Sequence, residues 1–175
     1  MLRMITAGDR KVMLRVNQWT PPLWVRRWMV FASRAGDGWG WVLLGICLLI
    51  WGGDRRFTAL AAGLISVSAG QVLFNVLKRL TGRARPCATE ASCWARLLPP
   101  DRFSFPSGHT ITAFAVAVPI GLHYPGLLAL LIFCAMSVAS SRVLLGLHYL
   151  SDVIVGIAIG CLLGMASFSL VNGGL

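Results

Sequence analysis

Residues 127–171 read LLALLIFCAMSVASSRVLLGLHYLSDVIVGIAIGCLLGMASFSLV. Two apolar runs, Leu127–Ser140 and Tyr149–Val171, are separated by a brief polar junction that holds Ser141, Arg142 and His148. Across the whole stretch Arg142 and Asp152 are the only formal charges. A helix crossing a bilayer core needs roughly 20 apolar residues, fewer where its ends snorkel. Each run is therefore read as a membrane helix, and the pair as a hairpin with its polar chemistry at the turn. Gly156, Gly160 and Gly164 recur every four residues along the second run, a small-residue face of the kind that lets helices approach closely in lipid. Its first reading is packing inside its own bundle, and its second a homodimer contact.

The same pattern extends upstream, with helices expected over Trp39–Trp51, Phe57–Leu77 and Thr110–His123. The first is short, but Trp39, Trp41 and Trp51 stand at its ends, where interfacial aromatics belong. Ala59, Ala62, Gly63, Ser66 and Gly70 give the second a small face of its own. Composition agrees: 57% of the 175 residues are apolar and only 13% charged, with a mean hydropathy of +0.73. A soluble domain carries about a quarter charged residues. The fold class is all-α, an integral membrane helical bundle of five transmembrane helices.

The N-terminal stretch reads differently. Between Val12 and Ala35, Leu14, Trp19, Leu23, Trp24, Trp28 and Phe31 alternate with Arg15, Arg26, Arg27 and Arg34. That much arginine makes spanning costly, so an amphipathic helix in the membrane interface is expected, entered through Pro21-Pro22. A sixth span through Trp19–Ala35 is the alternative. The chain divides into an amphipathic segment, 1–35, and a membrane-embedded domain, 36–175. No uninterrupted apolar run follows the first basic residues, so no cleavable signal peptide is expected.

The net charge of +10 is almost wholly arginine, Lys11 and Lys78 being the only lysines. In so hydrophobic a chain this points to anionic lipid as the partner rather than to nucleic acid. Cys47, Cys134 and Cys161 fall in expected helices as small apolar residues. Cys87 and Cys93 share the one long polar loop, Leu80–Phe105, either as a disulfide in an oxidising compartment or as two free thiols. No second Cys or His pair lies near them to complete a zinc site.

Counting crossings places Lys78, His109, Arg142 and His148 at one end of the bundle, and Gly52–Arg56 and His123–Gly126 at the other. Gly36-Asp37-Gly38 falls at the catalytic end, where Asp37 has basic loop residues to contact. His148 and Asp152 stand four apart on one helix face. A carboxylate there fixes one ring nitrogen and exposes the other as a nucleophile, the logic of the serine-hydrolase imidazole. Ser107 and Gly108 open an apolar helix, where free N–H groups and the helix dipole favour an anion. His109, in that first turn, is placed to protonate a leaving oxygen. Lys78, Arg85 and Arg142 supply the positive charge that a phosphoryl group in transfer needs.

These stretches resemble the signature of the type 2 phosphatidic acid phosphatase superfamily, which also holds bacterial acid phosphatases and vanadium haloperoxidases. Its pattern runs K-x6-R-P, then P-S-G-H, then S-R-x5-H-x3-D. The matching positions are Lys78, Arg85 and Pro86; Pro106, Ser107, Gly108 and His109; and Ser141, Arg142, His148 and Asp152. The resemblance covers Gly36 to about Gly164. It implies that His148 is the nucleophile forming a phosphohistidine, Asp152 its orienting partner and His109 the acid. It further implies that Lys78, Arg85, Ser107, Gly108 and Arg142 bind phosphate, with no metal and no other cofactor.

Membrane members of that family act on lipid phosphates: phosphatidic acid, phosphatidylglycerol phosphate, undecaprenyl pyrophosphate or the phosphate of lipid A. The implied site is a bacterial inner-membrane protein's periplasmic or outer face. The arginine-rich polar loop and N-terminus weigh the other way under the positive-inside rule, a conflict that a sixth span through Trp19–Ala35 would ease. Two rival functions are a lipid phosphotransferase, passing phosphate from the same intermediate to a second lipid, and a non-enzymatic membrane transport protein. A haloperoxidase-like oxidation stands third, since those relatives are soluble.

Overall fold

A computed structural model of the chain describes residues 2–86 and 103–173, with the side chains of 2–7 and 17 left out. Cys87 and Cys93 lie outside the described residues. Seven α-helices are described: α1 Leu2–Gln18, α2 Leu23–Ala35, α3 Trp39–Trp51, α4 Arg56–Thr81, α5 Gly108–His123, α6 Pro125–Leu144 and α7 Leu150–Val171. A single 3-10 turn, Gly53–Arg55, leads into α4. Among the described residues there is no strand, only an isolated antiparallel bridge between Ala84 and Phe103.

Among the described residues three helical stretches are long and apolar enough to cross a membrane: Gly53–Thr81, Pro125–Leu144 and Leu150–Val171. At 1.5 Å per residue, the 13 residues of α3 and the 16 of α5 cover only about 20 and 24 Å, against a hydrocarbon core of about 30 Å. For α5 the reason lies in its surroundings. It is packed on α4, α6 and α7, and Leu122 is its one exposed side chain. A helix enclosed by protein need not match the bilayer by itself.

Small residues make that enclosure possible. A Cβ at Gly160 would come within 2.7 Å of both the Ile111 carbonyl oxygen and Phe114 Cβ. One at Gly164 would meet Pro119 and Val118 at 2.9 Å, and one at Gly156 the Ser107 carbonyl at 3.0 Å. The glycine stripe of α7 is thus filled by α5 of the same chain, the packing role expected for it. The small face of α4, with Ala59, Ala62, Gly63, Ser66 and Gly70, is likewise buried, and a Cβ at Gly70 would strike Ile111.

The N-terminal stretch forms two helices where one was expected, and α1 was not foreseen. They break at 19–22, where Pro21 and Pro22 remove two backbone donors. α2 packs on α6, with Met29 against Leu145 and Leu147. α1 touches α7 and α6, burying Asp9 and Met13, four apart.

The two ends of the bundle are distinct. At one, Tyr124 donates to the Gly52 carbonyl (2.8 Å) and Arg55 to the His123 carbonyl (3.2 Å), joining the two short connections. His123 is buried there, its Nδ1–H on the Pro119 carbonyl at 2.8 Å. At the other end, α4 stops after Lys78 and Arg79 because Gly82 turns left-handed (φ 56°), its N–H reaching back to the Lys78 carbonyl at 3.3 Å. Asp9 and Asp37 both make their contacts at this second end. The chain from 9 to 37 therefore begins and ends on one side.

Candidate active site

The charged end gathers residues from five elements. His148 sits in the turn between α6 and α7, 2% exposed. Its Nδ1–H donates to the Ser104 carbonyl oxygen at 2.6 Å. Nε2 lies 3.0 Å from Arg85 Nη1, a donor. An acceptor at Nδ1 and a donor at Nε2 select the Nδ1–H tautomer and leave the Nε2 lone pair toward the cation cluster. Burial, then Arg85 and Arg142, hold the imidazole below its ordinary pKa of 6.5, opposed by Asp152.

Asp152 is fully buried at the first turn of α7. Its Oδ2 accepts the Tyr149 N–H at 2.9 Å and lies 3.6 Å from His148 Nδ1. The nearest acceptor for the histidine is therefore a backbone carbonyl, with the carboxylate behind it at ion-pair distance. Asp152 Oδ1 accepts from Arg83 at 2.6 Å.

Arg85 also donates to the Leu147 carbonyl at 2.8 Å, which ties the leg after α4 to the catalytic turn. Arg142, at the end of α6 and 4% exposed, donates to the Ser33 carbonyl of α2 at 3.1 Å. Its Nε is buried without a partner among the described residues, a charged donor left for an anion to satisfy. Lys78 is 9% exposed, with its ammonium 4.4 Å above the Phe74 ring. That same ring lies against Gly108, where a Cβ would meet it at 2.9 Å. Glycine at 108 thus lets α5 start against α4.

Ser107 is the N-cap of α5 and wholly buried, but its hydroxyl pairs with Thr110 at 2.9 Å. Its N–H donates to the Asp152 carbonyl at 3.1 Å, docking the start of α5 on the start of α7. His109 Nε2 lies 2.8 Å from Asp37 Oδ1, and the same oxygen is 3.6 Å from Arg142. Among the described residues Asp37 therefore contacts the acid candidate and a helix-end arginine; Arg96 and Arg102 of the loop expected to meet it lie outside the described residues.

The structure adds three groups to those read from the sequence: the Ser104 carbonyl, Arg83 and Asp9. Arg83 spans Asp152 and Asp9 (2.7 Å) and covers the Tyr149 ring at 4.1 Å. The arrangement holds one imidazole nitrogen unprotonated against Arg85, a second imidazole on a carboxylate, and a helix N-terminus. It is suited to an anion with a tetrahedral centre and several oxygens.

Comparison with known proteins agrees. Residues 57–173 match the PAP2 superfamily model. The chain is 36% identical over 108 residues to a lipid A 1-phosphatase of Rhizobium johnstonii, covering 59% of this chain but only 41% of the relative. It is 36% identical over 135 residues to decaprenylphosphoryl-5-phosphoribose phosphatase of Mycobacterium tuberculosis, covering 77% of this chain and 73% of the relative. The crystal structure of Aquifex aeolicus LpxE superposes with a TM-score of 0.76 at 26% identity, over 91% of this chain and 93% of that one. With its three apolar spans the protein is an integral membrane protein. The order and spacing of its charged residues, the bundle that carries them and these relatives have one explanation: the chain belongs to the PAP2 superfamily.

Proposed function

We propose that this chain is a metal-independent membrane lipid phosphatase that works through a phosphohistidine at His148. The observation that carries the reading is the imidazole held by the Ser104 carbonyl at Nδ1, with its Nε2 beside Arg85. In this mechanism Nε2 attacks phosphorus as the bond from phosphorus to the lipid oxygen breaks, and His109 gives that oxygen its proton. Water, deprotonated by His109, then attacks the phosphohistidine and frees inorganic phosphate. Lys78, Arg85 and Arg142 balance the charge on the equatorial oxygens, with the N–H groups of Gly108 and its first turn and the Ser107 hydroxyl beside them. Asp152 stabilises the imidazolium character that builds on His148. Asp37 keeps His109 oriented for the leaving group.

The substrate class is a lipid phosphate or pyrophosphate, a reading supported by the lipid phosphatases among the relatives and by the bilayer-sized helices. Residues 1–35 form the interfacial segment of this reading, supported by Leu23, Trp24, Trp28 and Phe31 exposed on α2 beside its arginines. The site faces the periplasm or exterior.

The test is phosphate release in detergent, in excess EDTA, beside His148→Ala. The panel holds phosphatidic acid, phosphatidylglycerol phosphate, undecaprenyl pyrophosphate and lipid A. Release that persists in EDTA and vanishes in the variant is expected. Release abolished by EDTA, or retained by His148→Ala, overturns the mechanism.

A further inference from the structure

Asp9 has no part in the signature residues, yet it is 6% exposed and fully engaged. Its Oδ1 accepts the Ser151 N–H at 3.0 Å, an open donor in the first turn of α7. Its Oδ2 accepts the Ser151 hydroxyl at 2.5 Å and Arg83 Nη2 at 2.7 Å. The other guanidinium nitrogen, Arg83 Nη1, donates to Asp152 Oδ1 at 2.6 Å and to the Ser151 hydroxyl oxygen at 2.8 Å. One guanidinium is shared between two carboxylates. The line runs Asp9, Arg83, Asp152, alternating in sign, and ends on the His148 imidazole.

We infer that Asp9 is a positioning residue for the nucleophile: from α1 it holds Arg83 against one oxygen of Asp152, leaving the other oxygen toward His148. The inference rests on the phosphatase reading for its meaning and on α1 for its position.

Two physical consequences follow. An Arg83 without Asp9 spends its whole charge on Asp152, which weakens the carboxylate as a partner for a histidine cation. The Ser151 N–H also loses a charged acceptor at a helix N-terminus, loosening the first turn that carries Asp152. Neither change touches the phosphate ligands, so substrate capture is spared and the chemical step is not.

The groups that act on His148 are Arg85 from the leg after α4, Arg142 from α6, Asp152 from α7 and His109 from α5. Asp37 reaches it through His109 and Arg142. Asp9 stands outside this set and acts on it through Arg83 and Asp152; without its charge Asp152 supports the imidazolium less, so the titration of His148 falls further.

The chain has three histidines, so the test is a nitrogen-15 histidine titration in micelles, with His148 assigned by its loss in His148→Gln. Asp9→Asn is expected to lower the His148 midpoint by about half a pH unit, the scale of one partly screened charge. Asp9→Glu, which keeps the charge, is expected to restore it. Asp9→Ser gives the same reading as Asp9→Asn if the amide is not accommodated, with thermal unfolding confirming each fold. In turnover, Asp9→Asn lowers kcat about tenfold, the worth of one charge-assisted hydrogen bond, with KM within about twofold.

In an Arg83→Gln background, Asp9→Asn costs clearly less in kcat than it does alone, the remainder being its share at the Ser151 N–H. An unmoved His148 midpoint in Asp9→Asn and Asp9→Ser overturns the inference whether or not the protein hydrolyses any lipid. Additive losses in kcat also overturn it, because Asp9 then acts independently of Arg83. A shifted midpoint in a protein that releases no phosphate sustains the positioning and fails the phosphatase reading instead.

Discussion

His109 reaches Asp37 across 72 positions of sequence, and the pair bears on one proton. An acid is needed only when the departing oxygen is a poor leaving group. His109→Ala is therefore expected to slow release from an alkyl lipid phosphate by about a hundredfold, and from an aryl phosphate with an acidic phenol much less. Asp37→Asn should follow the same pattern at about tenfold, the value of one charged hydrogen bond. Steady-state kcat on the two substrates decides it, since equal losses on both would remove His109 from the acid's role. His148, Asp152, His109 and Arg142 were legible because their types and spacing repeat at helix ends. The Ser104 carbonyl was not, since a backbone acceptor leaves no mark on residue type. Nor was Asp9, one of six acidic residues, whose partner Arg83 lies 74 positions away.

At the scale of the element, the bounds show what apolar runs can and cannot give. α3 was read at Trp39–Trp51 as it stands, whereas α4 and α6 run past the expected Leu77 and Ser140 to Thr81 and Leu144. Both extensions carry the helix through cations, Lys78 and Arg142, which end a hydropathy signal but not a hydrogen-bond ladder. α1 escaped notice because its inner face is narrow, with Asp9 and Met13 buried and Val16 half-buried against the core. The contact of α7 with α5 sets the sharpest test. Gly160→Val forces a branched side chain where even Cβ has 2.7 Å, and overpacking of this kind costs about 1–3 kcal/mol. Gly126→Ala, where nothing stands within 4 Å, is expected to stay within about 0.5 kcal/mol. Thermal unfolding in detergent compares them, and a Gly160→Val protein as stable as Gly126→Ala would show that the two helices are not so tightly joined.

For the whole molecule, the chemistry collects at one end and the short connections at the other. The sidedness expected from the alternating runs is the sidedness seen: Lys78, Arg85, His109, Arg142 and His148 lie together, and Gly52 and Tyr124 meet opposite. Orientation in the bilayer is a separate matter, because α1 brings its own basic residues to the catalytic end. An outward site is expected to let an impermeant maleimide label Arg34→Cys in right-side-out membrane vesicles, with the five native cysteines replaced. Asp54→Cys, at the other end, should label only after permeabilisation. The reverse pattern would put the catalytic end in the cytoplasm, as the arginine distribution alone suggests.

The enclosure of α5 has a further consequence. Lipid is a solvent for the outer helices and never for this one, apart from Leu122. An outward Leu64 or Phe133 answers to hydrocarbon, which accepts any apolar shape. Ile111 and Phe114 answer to neighbours that leave no slack. The outer helices can therefore exchange one apolar side chain for another at little cost, whereas the same exchange on the axle collides with the ring around it.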